Sequence, residues 1–348
     1  VAFTAARAGG VPIMAVVKCF AYGLDHRLIA KVIEPMIEIA GFAVVTADEA
    51  MELREAGIKK PVLLMDDFAD RLAPDYVKRD ITLSVFTPDA PVRLASLKKR
   101  VSKPIRTSLY IDTGFGRLGR RWDEAEEWVT AVAGVEGVAL SGVMTEMTDH
   151  AEFDLVQIDR FEKFTQRLAE IGVKAGPRHA SSTDAILNQG AKGAFDMVRP
   201  GNLLQGLPPD IRNHQDLPID VIYRLKAKVL RVHRLEKGES TSYGRAFIAD
   251  EPCDIAIIKC GRTEGYIFRK AGANVLIGGD MHKTVGGVSA SHCYVKLNPG
   301  HSVKPGDVAT MIGPEKGIRP HDIARTQDGL GTYEGVNIGR HVPRYVIG

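Results

Sequence analysis

Cysteine is scarce in this chain: four residues, Cys19, Cys253, Cys260 and Cys293, with no Cys-x-x-Cys pair. No dithiol or zinc-ribbon motif can be built from them, and such sparse usage suits a reducing, cytoplasmic compartment. The nearest thing to a metal pair is His292 beside Cys293, but neighbours in a strand point to opposite faces. No metal is therefore expected. Net charge is low, at +3, and no basic cluster is interleaved with aromatics. That argues against nucleic acid as a partner. No uninterrupted apolar run is long enough to span a bilayer, so no membrane association is expected. Val1 to Gly10 lacks a charged region followed by an apolar one, which argues against a secretory leader. There is also no initiating methionine, which leaves room for residues upstream.

What is present is an ordinary globular composition, 45% apolar and 26% charged, in a chain long enough for one large or two medium domains. Short β-branched runs near 12–17, 42–45, 61–65, 81–85, 105–111, 137–144, 176–180 and 196–199 predict strands. Helical patterns follow at Asp25 to Ile39, Ala47 to Ala56, Ala69 to Lys78, Pro88 to Lys99, Asp123 to Ala133, Phe153 to Ile171 and Ser182 to Gln189. This alternation predicts an α/β fold, a (β/α)8 TIM-type barrel over residues 1–206. An open doubly wound sheet is the alternative, but no Gly-x-Gly-x-x-Gly follows the first strand. The texture changes at Leu207-Pro208-Pro209-Asp210, and a C-terminal all-β domain is expected over 207–348. Strands are predicted there at Lys226 to His233, Asp254 to Lys259, Asn274 to Ile277 and Val288 to Leu297.

Catalytic groups of such barrels sit where strands end. Lys18 ends the first strand within Ala15-Val16-Val17-Lys18-Cys19-Phe20-Ala21-Tyr22-Gly23. Burial disfavours the charged amine and makes it a nucleophile toward an aldehyde. The plainer alternative is a lysine that reaches back to solvent. The loop Asp112-Thr113-Gly114-Phe115-Gly116-Arg117-Leu118-Gly119 follows the fifth strand and Glu146 the sixth. His179-Ala180-Ser181-Ser182-Thr183 ends the seventh, and Arg199-Pro200-Gly201-Asn202 the eighth. The Ser-Ser-Thr run could serve as a helix cap or could receive a phosphate. Tyr243 on its own reads more readily as a packed core tyrosine than as a base, since a phenol titrates near ~10 and needs a neighbouring positive charge to ionise.

The Lys18 segment, the Asp112 to Gly119 loop, Met197-Val198-Arg199-Pro200-Gly201, Ser242-Tyr243-Gly244-Arg245, Gly306-Asp307 and Val342-Pro343-Arg344 resemble the alanine racemase family in order and spacing. The resemblance implies a pyridoxal-phosphate-dependent amino-acid racemase, working as a head-to-tail homodimer with active sites shared between subunits. It implies that Lys18 holds the cofactor's aldehyde and that Lys18 and Tyr243 serve opposite faces of the α-carbon. It further implies that Arg199 meets the ring nitrogen, and Arg117 the ring oxygen and the substrate carboxylate. Tyr22, Thr183 and Gly201 would hold the phosphate, with Ser182 a weaker candidate.

The chain departs from that pattern at five places. Tyr110 stands where the family commonly has a lysine that orients the loop arginine, so Arg117 must find another partner. Glu146 replaces a histidine behind the catalytic tyrosine. Arg262 and Arg340 stand where the family has two tyrosines at the substrate entrance, and Ala290-Ser291 replaces a Met-Asp pair. Together these predict a wider, more basic pocket for a larger or anionic amino acid. The alternatives are arginines that point away, a decarboxylase or eliminase on the same fold, and a cofactor-binding protein without turnover. A metal-dependent barrel hydrolase is the weakest, because Asp112 alone cannot hold a metal.

Overall fold

A computed structural model describes residues 1–207, 217–266, 271–326 and 338–347. The chain divides into two compact units, Val1–Leu204 and Gln205–Gly348. Pro208, Pro209 and Asp210, where the composition changes, lie outside the described residues.

In the first unit the strands Ile13–Val16, Ile39–Val44, Val62–Leu64, Ile81–Val85, Ile105–Asp112, Val138–Met144 and Arg178–His179 pair in parallel in chain order. The eighth expected strand, 196–199, forms only the bridges Ile13 to Val198 and His179 to Met197. It still closes the ring, since Met14 N donates to Val198 O at 2.8 Å, Val16 N to Pro200 O at 2.9 Å and Val198 N to Pro12 O at 3.1 Å. Pro12 and Pro200 have no N–H to give, which keeps this seam short.

Helices flank the strands. Ala47–Glu55 begins with a capping box, Thr46 and Glu49 each accepting from the other's backbone N–H at 3.3 Å. Ala151–Glu170 buries Ile158, Phe161, Phe164 and Leu168 on one face, each worth about 1.5–3 kcal/mol of apolar burial. The helix expected from Asp25 to Ile39 is shorter, His26–Ile33, because Pro35 stops it and Ile39 begins the next strand. Inside the ring, Met14, Val16, Ala43, Leu63, Tyr110, Met144 and Met197 pack together.

The second unit is a closed antiparallel barrel. Its ring order is Cys253–Ile258, Cys293–Lys296, Asp280–Val285, Asn274–Ile277, Val308–Ile312 and Leu225–Leu235. The long strand Leu225–Leu235 seals it by pairing with both Cys253–Ile258 and Val308–Ile312. Closure leaves no sheet edge to satisfy. Ser240–Thr241 and Phe247–Ile248 form a small separate hairpin. The strand expected over Val288 to Leu297 is confined to Cys293–Lys296, because 286–292 is a loop that starts at Gly286-Gly287. Among the described residues no helix is long and apolar enough to cross a membrane.

Candidate active site

Lys18 lies two residues beyond the buried strand Ile13–Val16 and is half-buried, less enclosed than a strand end implied. The backbone after it is unusual. Cys19, Phe20, Ala21 and Tyr22 all have positive φ, at 54°, 59°, 49° and 51°, a left-handed turn made without glycine. Each such residue costs about 1–2 kcal/mol. Surrounding contacts hold the turn: Phe20 N donates to Glu49 Oε1 at 2.8 Å, Ala21 N to Val17 O at 2.9 Å, and Gly23 N to Phe20 O at 3.1 Å. The Phe20 ring meets His26 edge-on at 5.6 Å. Strain sustained this way clusters at functional positions.

The turn delivers Tyr22 to Gly201. A side chain at Gly201 would overlap the Tyr22 hydroxyl and lie 2.9 Å from its Cζ. Gly201 N donates to Thr183 Oγ1 at 3.2 Å. The ends of the first, seventh and eighth barrel segments therefore converge on Tyr22, Thr183 and Gly201. Ser182 is engaged elsewhere, its hydroxyl donating to Asp149 Oδ1 at 2.7 Å. Asp149 is exposed along one side, yet its carboxyl is pushed up to about 7. Desolvation by its neighbours is the main cause, and the charges of Asp184, Glu146 and Asp154 add to it against the pull of the Ser182 hydroxyl.

Arg199 is buried under these loops, 4% exposed. Its Nη1 donates to His179 O at 2.5 Å and to His179 Nδ1 at 3.0 Å. Its Nη2 donates to Thr145 O at 2.6 Å, Ala180 O at 3.2 Å and Glu146 Oε2 at 3.0 Å. A guanidinium can only donate, so His179 Nδ1 is an acceptor and the ring carries its proton on Nε2. Burial, and then the Arg199 charge, hold His179 well below the usual histidine range, so it is neutral.

Glu146 also faces Arg117, with Oε1 4.0 Å from Nη2. Arg117 stacks on Phe115 at 4.3 Å, and its guanidinium lies near enough to the buried Tyr110 hydroxyl to pull that phenol down. Tyr110 and Glu146, two of the five departures, thus supply the partners Arg117 needs. Burial and then Glu146 raise the Tyr110 phenol above its ordinary range, with Arg117 and Arg199 pulling the other way. Asp112 shapes the loop that carries Arg117, its carboxylate accepting from Gly114 N at 2.8 Å and Gly116 N at 3.1 Å. Gln157 ties the same loop to the next strand end, donating to Thr113 Oγ1 at 3.2 Å and Glu146 O at 2.8 Å. Gln157 carried no sequence signal, being a polar residue within a helix, and the Thr46-x-x-Glu49 spacing marks only a helix start, not the contact with Phe20 N.

The second unit holds the remaining candidates. Tyr243 is 83% exposed, on a tight turn in which Ser242, Gly244 and Arg245 have φ of 72°, 64° and 55°. The Ser242 hydroxyl donates to Gly287 O at 3.3 Å and accepts from Gly287 N at 3.2 Å. Arg245 Nη2 donates to Gly238 O at 2.9 Å. The Arg262–Glu264 turn rests on the other end of the same loop: Arg262 N donates to Ser289 O at 3.1 Å and Thr263 N to Ala290 O at 2.9 Å. Gly339 abuts the Thr263 carbonyl, and His341 Nε2 lies 3.7 Å from Glu264 Oε1. Arg340, between them, is thereby brought to the Arg262 turn. Ala290 is exposed there and Ser291 is half-buried. The 286–292 loop braces both turns.

A parallel barrel with a lysine, a buried arginine and the Tyr22, Thr183 and Gly201 cluster at its strand ends, followed in the chain by a closed β-domain, is the architecture of a pyridoxal-phosphate enzyme of the barrel-plus-β-domain class. The alanine racemase N-terminal domain model matches residues 1–209, and the alanine racemase C-terminal domain model matches 222–346. The chain belongs to the alanine racemase family, the pyridoxal-phosphate-dependent amino-acid racemases. It is 31% identical to the alanine racemase of Desulforamulus reducens, over 97% of this chain and 92% of that protein. The alanine racemase structure from Clostridium difficile 630 has a TM-score of 0.90 at 25% identity, covering 99% of this chain and 92% of that one. A histidine racemase from Leuconostoc mesenteroides subsp. sake shares the fold, with a TM-score of 0.88 at 22% identity over 99% of this chain and 94% of that one.

Proposed function

We propose that this chain racemises an amino acid whose side chain is larger than a methyl group and acidic, as a cytoplasmic homodimer in which each subunit's Tyr243 completes the barrel site of the other. The observation that carries the cofactor part is the meeting of Tyr22, Thr183 and Gly201. The absent side chain at Gly201 lets the Tyr22 hydroxyl pack against its backbone, beside the Thr183 hydroxyl that accepts from Gly201 N, and this gathering of two hydroxyls at a strand end supports a phosphate site. Lys18 would hold the aldehyde and Arg199 the ring nitrogen, and Arg117 would reach the ring oxygen and the substrate carboxylate. Ser182, bonded to Asp149, is the weakest of the phosphate candidates. Bound pyridoxal phosphate supplies an electron-withdrawing ring that makes the α-hydrogen acidic.

The residues then have separate tasks. The Lys18 amine moves a proton at one face of the α-carbon, and Tyr243 Oη moves one at the opposite face. A phenolate so used must not face an unbalanced carboxylate, and Glu146 is balanced by Arg199 at 3.0 Å and Arg117 at 4.0 Å. The high exposure of Tyr243 supports a role for a second copy in covering it. The four free cysteines support a reducing compartment.

Arg262, Arg340, Ala290 and Ser291 form the proposed wall for the substrate side chain. Guanidinium groups suit a carboxylate, and alanine at 290 leaves space beside them. The test is deuterium entry at the α-carbon, followed by proton NMR in heavy water with added cofactor. Alanine, serine, lysine, glutamate, aspartate and cysteate make up the panel. Exchange with loss of optical rotation, fastest for an acidic substrate, is the expected result. Alanine far ahead of the acidic compounds would sink the substrate assignment, and no exchange at all would sink the activity.

A further inference from the structure

The N-terminal barrel is hollow at the end opposite Lys18. Bulky branched side chains ordinarily fill such an interior. Here Thr82, Ser108, Gly142 and His179 leave a well of about 390 Å³ between Met14, Leu63 and Met197. Its mouth opens where strands begin, at Lys59, Pro61, Asp80 and Arg106. Arg54 knits this rim together, donating to the carbonyls of Ile58, Lys60, Arg79 and Asp80 at 2.8–2.9 Å.

The chemistry of the well is one-sided. Ser108 is 1% exposed and its hydroxyl has no hydrogen-bond partner. His179 is 2% exposed, and a side chain on Gly142 would come within 3.0 Å of its Nε2 and 3.4 Å of Ser108 Oγ. The missing side chain therefore lets both groups approach the Gly142 backbone closely, and both line the well. Because Arg199 occupies Nδ1, the Nε2 atom bears the proton and donates. At the mouth Lys59 and Arg106 are exposed cations, while the Asp80 carboxylate is held by Lys103 at 3.0 Å. A polar cavity with unpartnered groups takes a polar occupant, and Lys59, Arg54 and Arg106 at its mouth outnumber the Asp80 and Glu34 carboxylates beside them, an excess of positive charge that concentrates anions.

We propose that this well is a binding site for a small oxyanion, of carboxylate or sulfate size. The rim cations draw it in, and Ser108 and His179 Nε2 receive it. An occupant would sit one hydrogen bond from Arg199, through His179, and so would communicate with the cofactor end of the barrel.

The experiment is a titration of the holoenzyme, labelled with ¹⁵N-histidine, with sodium malonate or sodium sulfate at constant ionic strength set by sodium chloride. The His179 imidazole signals should shift saturably. A Lys59→Glu/Arg106→Glu variant should lose the shift, and Ser108→Ala should bind about 5–10-fold more weakly. All should retain wild-type α-proton exchange, which shows that each is folded. No saturable shift with either anion would overturn the proposal and leave the well to water. An unchanged shift in the charge-reversed variant would overturn it too, by tracing the effect to anions at the other end of the barrel.

Discussion

Gly201→Ala tests the cofactor cradle more directly than removal of any charged group. No left-handed φ is required at Gly201, so an added methyl group carries no backbone penalty and its effect is steric. The new carbon would overlap the Tyr22 hydroxyl and sit 2.9 Å from Cζ and 3.2 Å from Cε2. The Tyr22 backbone ends a left-handed turn pinned through Phe20 to Glu49, so relief of the overlap falls on rotation of the Tyr22 ring. Overpacking of this kind costs about 1–3 kcal/mol. If the strain is relieved by displacing Tyr22 and Thr183 from the phosphate, the same energy makes cofactor binding roughly 5- to 150-fold weaker. Absorbance titration of the apoenzyme with pyridoxal phosphate reads the affinity, and urea unfolding of the apoenzyme reads the strain. Tyr22→Phe in the same chain removes the overlapping hydroxyl. The double variant should lose less stability than Gly201→Ala alone, with a coupling of about 0.5–3 kcal/mol, while binding cofactor no better. Wild-type affinity together with wild-type stability in Gly201→Ala would refute the cradle.

Glu146→Gln leaves Arg199 with carbonyl and imidazole acceptors only, and should destabilise the barrel by about 1–3 kcal/mol, less than a fully buried pair because Glu146 is partly exposed. The same change should lower the Tyr110 phenol, read as an earlier rise in tyrosinate absorbance on alkaline titration. Asp149 titrates at about 7 when folded and near ~4 when unfolded, so the folded state holds its proton more tightly. Its contribution to stability is therefore present at low pH and lost as pH rises from about 4 through about 7. Asp149→Asn should flatten that fall in a series of urea midpoints; an unaltered slope would discount the shift. Arg262→Ala and Arg340→Ala should raise KM for aspartate or glutamate by about tenfold, the worth of one charge-assisted hydrogen bond, and leave KM for alanine nearly unchanged.

Much of the N-terminal barrel was legible because buried strands are continuous apolar or β-branched runs, as in Ile13–Val16 and Val62–Leu64. The helix after Asp25 was overextended because Ile37 and Ile39 continue an apolar rhythm past Pro35. Ile37 is in fact 95% exposed. In the β-domain the strand Asp280–Val285 was missed because its two buried positions are the polar His282 and Thr284, which invert the usual alternation. Closure of that domain depends on pairing Leu225–Leu235 with Val308–Ile312, a register no local pattern carries. At the site, strand-end residue types could be read directly. The left-handed turn could not, since nothing in Cys19-Phe20-Ala21-Tyr22 announces positive φ. The partners of Arg117 were equally hidden, because Tyr110 and Glu146 meet only across neighbouring strands of the closed ring.

The brace formed by residues 286–292 has a consequence for how this protein can change. One end clasps Ser242, next to Tyr243, and the other end supports the Arg262 turn and carries Ala290. Selection for a bulkier or smaller residue at 290 therefore pulls on the tyrosine as well as on the wall beside it. On the roles proposed for Tyr243 and the Arg262 wall, selectivity and turnover would be geared together, and variants that recognise a new side chain without losing speed should carry a second, compensating change at Gly286, Gly287 or Ser242.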